Sequence, residues 1–73
     1  IERVAIIKWY RGLGYGEKLI HAIETIAKKH QYNKLTMNAQ LQARDFYLKL
    51  GYSPFGNVFL EENIKHISMN KFL

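Results

Sequence analysis

Four apolar residues in succession, Val4, Ala5, Ile6 and Ile7, follow the charged Glu2 and Arg3 and predict a short strand over Ile1–Ile7 with both faces covered. From Tyr15 to about Lys29 the rhythm changes: Leu19, Ile20, Ile23, Ile26 and Ala27 recur at helical spacing, and Glu17, Lys18, Glu24, Lys28 and Lys29 take the remaining surface. Glu17 in the first turn and Lys28, Lys29 and His30 in the last complement the helix dipole. The polar Gln31–Asn33 reads as a turn. Lys34–Asn38 is long enough for a strand and too short for a helix, and would lie parallel to the first strand. A second helix is predicted over Gln40–Leu50, where Ala43, Phe46, Tyr47 and Leu50 stand at i, i+3, i+4 and i+7 and Gly51 supplies the left-handed stop. Tyr52–Phe55 and Asn57–Glu62 read as extended, and His66–Phe72 as a last strand, antiparallel through a turn at Glu62-Asn63. The fold class is α/β with a mixed (α+β) sheet, in the order β-α-β-α-β-β, with a right-handed βαβ crossover at its start.

A chain of 73 residues makes one small domain that buries only about 60% of its unfolded surface, so a self-sufficient core is marginal. With 48% hydrophobic and 14% aromatic residues and a single proline it is built to pack, which excludes a disordered or collagen-like chain. The absence of cysteine excludes a disulfide framework, a thiolate metal site and a cysteine nucleophile. No His or carboxylate cluster has zinc-ligand spacing, so no metal is expected. Lys and Arg outnumber Asp and Glu by 11 to 6, and the net charge of +5 favours anionic partners, nucleic acid and nucleotide cofactors alike. No apolar run approaches the roughly 20 residues that cross a bilayer, so a cytoplasmic setting without a membrane partner is expected. The chain opens without methionine in a strand-like run, as a piece of a longer protein would.

The sharpest chemical feature is Arg11-Gly12-Leu13-Gly14-Tyr15-Gly16, set between the first strand and the long helix. Glycines at 12, 14 and 16 let the backbone approach a ligand, while the unpaired N–H groups of the first helical turn point outward at the positive end of the dipole. Arg11 adds a fork of charged donors, so a pyrophosphate could be held without a metal. The competing reading is a tight strand-to-helix turn and nothing more. The lysine-serine ending of a P-loop is absent, and a dinucleotide fold would place an acid after the second strand, where Asn38 stands.

Arg11-x-x-Gly14-x-Gly16 resembles the R/Q-x-x-G-x-G/A signature of the GCN5-related N-acetyltransferases (GNAT), preceded as in that family by an apolar strand, Val4-Ala5-Ile6. Ala43-x-x-Phe46-Tyr47-x-x-Leu50-Gly51-Tyr52 is similar to the family's A-x-x-F-Y-x-x-x-G-F/Y segment and lies at the expected separation. The tail Phe59-Leu60-Glu61-Glu62, followed by His66, resembles the F-L-E-E-x-x-x-x-H ending of a bacterial branch of predicted acetyltransferases, with three residues instead of four before the histidine. The resemblance spans residues 1–73 and corresponds to the C-terminal half of the family's domain, from its fourth strand onward.

The resemblance implies transfer of an acetyl group from acetyl-coenzyme A, as co-substrate, to a primary amine by direct attack in a ternary complex. It places the cofactor in a split between the strands at Ile1–Ile7 and Lys34–Asn38. Val4, Ala5 and Ile6 would contact its pantetheine arm through their backbone, and Arg11, Gly12, Leu13, Gly14, Tyr15 and Gly16 its pyrophosphate. Tyr47 matches the family tyrosine that faces the cofactor sulfur and is the expected general acid, with Phe46 beside it. Gln40 stands where the family often has an asparagine that contacts pantetheine, and Asn38 is its alternative. For the general base, His66 and Glu2 are the candidates. Glu61 and Glu62 are acceptor-side candidates, whereas His21 and His30 fit exposed helical positions and need no role.

Two other classes compete. A small basic nucleic-acid-binding module would use the charge with Trp9, Tyr10 and Tyr15, but the basic residues are scattered and no recognition-helix pattern is present, so no nucleic-acid partner is expected. A non-catalytic interaction fragment is the third class. Exposed apolar faces on the first strand would then drive a homodimer, a swapped assembly or completion by a partner.

Overall fold

The computed structural model describes residues 1–8 and 16–73. The elements are β1 (Val4–Ile7), α1 (Glu17–Lys29), β2 (Lys34–Gln40), a 3-10 turn (Leu41–Ala43), α2 (Arg44–Lys49), β3 (Ser53–Glu61) and β4 (Ile64–Phe72). They form one sheet in the order β1-β2-β4-β3, with β1 parallel to β2 and the other neighbours antiparallel. The expected element order and mixed sheet are present.

Leu35, Met37 and Ala39 alternate along β2, and Met69 and Ile67 of β4 lie opposite the last two; all five are buried. Ile20 and Ala27 of α1, Tyr47 of α2 and Tyr52 complete the same cluster, so both helices cover one face of the sheet. The steps from β1 to β2 and from β2 to β3 cross the sheet in the same direction, and right-handed crossovers then put both helices on the same side. Among the described residues no element covers the other face, where Ile6 is 69% and Phe72 68% exposed and Val4 is exposed as well. The expectation that both faces of the first strand are covered is thereby corrected: Ala5 and Ile7 pack against the core, and Val4 and Ile6 do not.

The helix ends follow local chemistry. Gly16 is extended (φ −97°, ψ 173°) and caps α1, which begins at Glu17; the expected start at Tyr15 lies outside the described residues. At its other end Tyr32 N–H donates to the Ala27 carbonyl and Gln31 N–H to that of Lys28, a Schellman closure with Gln31 at φ 66°. The second helix is shorter than its apolar spacing predicts. Gln40 remains extended as the last residue of β2, paired to His66, and residues 41–43 form a 3-10 turn before α2 begins at Arg44. Gly51, at φ 95°, stops α2 as expected; Gly51 N–H donates to the Leu48 carbonyl and Tyr52 N–H to that of Tyr47. The two segments expected as extended on either side of Gly56 are a single strand, β3, whose register against β4 shifts between Phe55 and Phe59, with Gly56 at φ 74°.

Candidate functional site

The glycine-rich segment lies mostly outside the described residues: of its calls, Arg11, Gly12, Leu13, Gly14 and Tyr15 do, and Gly16 does not. The carbonyl of Gly16 accepts the N–H groups of Leu19 and Ile20 at 3.1 and 3.2 Å, which leaves the amides at the start of α1 facing away from the helix. Its φ is open to any residue, and a Cβ built there would meet nothing within 4 Å among the described residues. Among the described residues, neither backbone conformation nor packing asks for glycine at this helix start.

The split expected between the first two strands does not fall within β1. β1 is in register with β2 along its whole length, from Val4 opposite Lys34 to Ile7 opposite Met37. Beyond that pair β2 continues through Asn38, Ala39 and Gln40, paired among the described residues only to β4. The parallel ladder uses the inner edge of β1 over Val4–Ile7, and Asn38 and Gln40 lie beyond its last pair. Asn38 is exposed, and its Oδ1 accepts from Ser68 Oγ at 2.9 Å; Gln40 Oε1 accepts from Gln42 Nε2 at 2.8 Å.

Tyr47 stands on the covered side of the sheet. It is buried, with Phe46 edge-on at 5.1 Å and Tyr52 edge-on at 6.2 Å between ring centroids. Phe46 itself is partly exposed. Tyr52 is held further. Its hydroxyl donates to Glu24 Oε2 at 2.8 Å, and the same oxygen accepts from Lys71 Nζ at 3.0 Å, while Lys71 also donates to the Leu50 carbonyl at 2.8 Å. Burial, then the hydrogen bond from Tyr52 to Glu24 and the charges of Glu24 and Tyr47, raise the Tyr52 phenol well above its ordinary range.

Glu24 is the residue that pattern reading misplaced. It was expected on the helix surface and is buried. The signal was available in the spacing, because Glu24 lies four after Ile20 and three before Ala27, on the stripe that meets the sheet, while Leu19 and Ile26 of the supposed apolar face are exposed. Lys71 likewise shares a strand face with Ile67 and Met69 and stands opposite Leu35.

His66 lies on the open face, opposite Gln40 on one side and Phe59 on the other. It is nonetheless buried, stacked on Phe59 at 5.9 Å and 26°. Its Nδ1 is 2.7 Å from the Ile64 carbonyl, an acceptor only, so Nδ1 carries the proton and the lone pair of the neutral ring is on Nε2. The structure thus gathers Asn38, Gln40 and His66 at one end of the sheet, with Glu61 and Glu62 at the adjoining turn. Glu2 is not among them. Its carboxylate pairs with Lys34 at 3.4 Å, at the opposite end of β2, about 20 Å along the strand from Gln40. Among the described residues no group of three or more His, Cys, Asp or Glu side chains could hold a metal ion, and no helix is long and apolar enough to cross a membrane.

Comparison with known proteins bears on the family. The family described as acetyltransferase (GNAT) domain matches residues 1–73. The chain is 37% identical over 71 residues to two proteins of Bacillus subtilis (strain 168), one of which bears a provisional acetyltransferase name; the match covers 97% of this chain and 48% of each relative. An uncharacterised acetyltransferase of Streptococcus pyogenes is 36% identical over 62 residues, 85% of this chain and 42% of its own. The fold superposes with a TM-score of 0.73 on the crystal structure of an acyl-CoA N-acyltransferase from Pseudomonas aeruginosa, at 27% identity, covering 84% of this chain and 42% of that one. The chain belongs to the GNAT acetyltransferase family, and it spans about half the length of the relatives it matches.

Proposed function

We propose that this chain is the C-terminal, acyl-coenzyme A-binding half of an N-acetyltransferase domain that moves an acetyl group from acetyl-coenzyme A to a primary amine. The observation that carries the reading is Gly16, a glycine at the start of α1 required neither by its φ nor by its neighbours among the described residues. Pyrophosphate oxygens would lie against the first amides of the helix, with Arg11, Gly12, Leu13, Gly14 and Tyr15 completing the cradle. The pantetheine arm would enter where β2 outruns β1, beside Asn38 and Gln40.

In the transfer, the lone pair of a neutral amine forms an N–C bond to the thioester carbonyl carbon, and the C–S bond breaks with its electron pair on sulfur. The proton released from nitrogen passes to His66 Nε2, and the phenol proton of Tyr47 passes to the departing thiolate, giving an amide and a free thiol. The placement of these two groups supports the division of labour: His66 stands on the open face of the sheet and Tyr47 on the covered one, so a reacting centre in the gap would be approached from both sides. Completion of the open face and of the free edge of β1, by a second copy or by further chain, belongs to the same proposal, because Val4 and Ile6 are left exposed there.

Calorimetric titration of the natural full-length protein with acetyl-coenzyme A, beside a single-stranded oligonucleotide, tests the reading. Binding of the first alone, abolished by Gly14→Val, is expected; binding of neither, or of the oligonucleotide alone, overturns it.

A further inference from the structure

We infer that Glu24, Lys71 and Tyr52 form a clamp that positions Tyr47 relative to the cofactor-binding start of α1, making them positioning residues for acetyl transfer. The inference rests on the reading of Tyr47 as the general acid. α2 has six residues, too few to hold a helix in place by its own hydrogen bonds, so its position depends on what grips it. One carboxylate oxygen supplies the grip. Glu24 Oε2, on α1, accepts from Tyr52 at 2.8 Å and from Lys71 of β4 at 3.0 Å.

From that oxygen two routes run to Tyr47. Tyr52 is joined to it through the backbone, by its N–H on the Tyr47 carbonyl at 3.1 Å, and through the side chains, by the edge-on ring contact at 6.2 Å. Lys71 reaches the end of α2 directly, donating to the Leu50 carbonyl at 2.8 Å, and its ammonium lies 5.6 Å from the centroid of the Tyr52 ring. Glu24 stands on the same helix as Gly16, so the element that begins at the proposed pyrophosphate site is tied by charge-assisted hydrogen bonds to the segment bearing the proposed acid. A phenol that must meet a sulfur at hydrogen-bond distance has little tolerance for a shift between those elements.

The test is a mutant cycle in the natural full-length protein, read by thiol release from acetyl-coenzyme A. Water serves as acceptor for basal turnover, and a panel of aliphatic amines, aminoglycosides and lysine peptides for faster turnover. Tyr52→Phe removes only the hydroxyl and Lys71→Met removes the charge; thermal melting selects the variants that remain folded. Each is expected to lower kcat about tenfold while the dissociation constant for coenzyme A, measured by calorimetry, stays within about twofold. Lys71→Arg should restore part of the loss. In a Tyr47→Phe background neither substitution should reduce kcat further, because the group they position is gone. Losses that add to that of Tyr47→Phe, or an unchanged kcat in folded Tyr52→Phe, overturn the clamp while leaving the acid assignment standing. An unchanged kcat in Tyr47→Phe alone overturns the acid assignment and the clamp with it.

Discussion

A methyl group on Gly51 would stand 3.2 Å from Cε of Lys71, the side chain that crosses this spot to reach the Leu50 carbonyl. Glycine is required here twice, by its φ of 95° and by the passage of Lys71. Gly51→Ala should therefore destabilise the fold by about 1–2 kcal/mol in urea titration, from the backbone conformation alone, and by more if Lys71 is displaced. A change below about 0.5 kcal/mol would show that the turn relaxes freely.

Gly16 predicts the opposite relation between stability and binding. Asparagine is a better helix cap than glycine by a few tenths of a kcal/mol, and the structure has room for it among the described residues. Gly16→Asn should leave the melting temperature unchanged or slightly raised and still weaken acetyl-coenzyme A binding at least about tenfold by obstructing close approach. Undiminished affinity in calorimetry would remove Gly16 from the phosphate cradle.

Tyr47→Phe keeps the ring contacts with Phe46 and Tyr52 and removes only the proposed acid. Its kcat for thiol release should fall by roughly a hundredfold with coenzyme A affinity nearly unchanged. A parallel loss of affinity would mean that the hydroxyl serves binding instead.

The Tyr52 phenol has its affinity for the proton raised by folding, above the ordinary value of 10.0. The folded chain therefore holds that proton more tightly than the unfolded one. The stability it contributes is fully present below about pH 10 and is lost as pH rises further toward the folded value. Denaturant midpoints measured from pH 8 to 11 should fall above pH 10 in the parent and fall less steeply in Tyr52→Phe. Identical slopes would mean that another group governs the alkaline limit.

Two non-glycine turns hold left-handed backbone at a cost that sequence changes can relieve. Glu62 and Asn63 join β3 to β4 with φ of 52° and 61°, the signs of a type I′ turn, whose preferred pair is Asn-Gly. Replacing Glu62 with Asn and Asn63 with Gly should stabilise the fold by about 0.5–1 kcal/mol, and Gln31→Gly at the end of α1 by a similar amount. Equilibrium unfolding of the two variants, singly and combined, checks both values.

Much of the fold was legible in the chain because the signals were short-range. The apolar run at Val4–Ile7, the spacing of Ile20, Ile23 and Ala27, the stop at Gly51 and the turn at Glu62-Asn63 each depend on neighbours within a helical turn or a hairpin loop. The glycine-rich segment, Tyr47 and His66 were likewise named by motif. What tertiary structure alone decided involves residues far apart in sequence. Glu24 meets Tyr52 and Lys71 across 28 and 47 positions, and only the sheet order β1-β2-β4-β3 brings them to one carboxylate oxygen. The same order leaves Val4 and Ile6 exposed, puts Glu2 at the opposite end of the sheet from His66, and keeps β1 paired to β2 through Ile7. Periodicity reports which face of an element is apolar. Which polar residue is buried with that face, and against what, follows from strand register and from both helices packing on one side, and these are properties of the assembled chain.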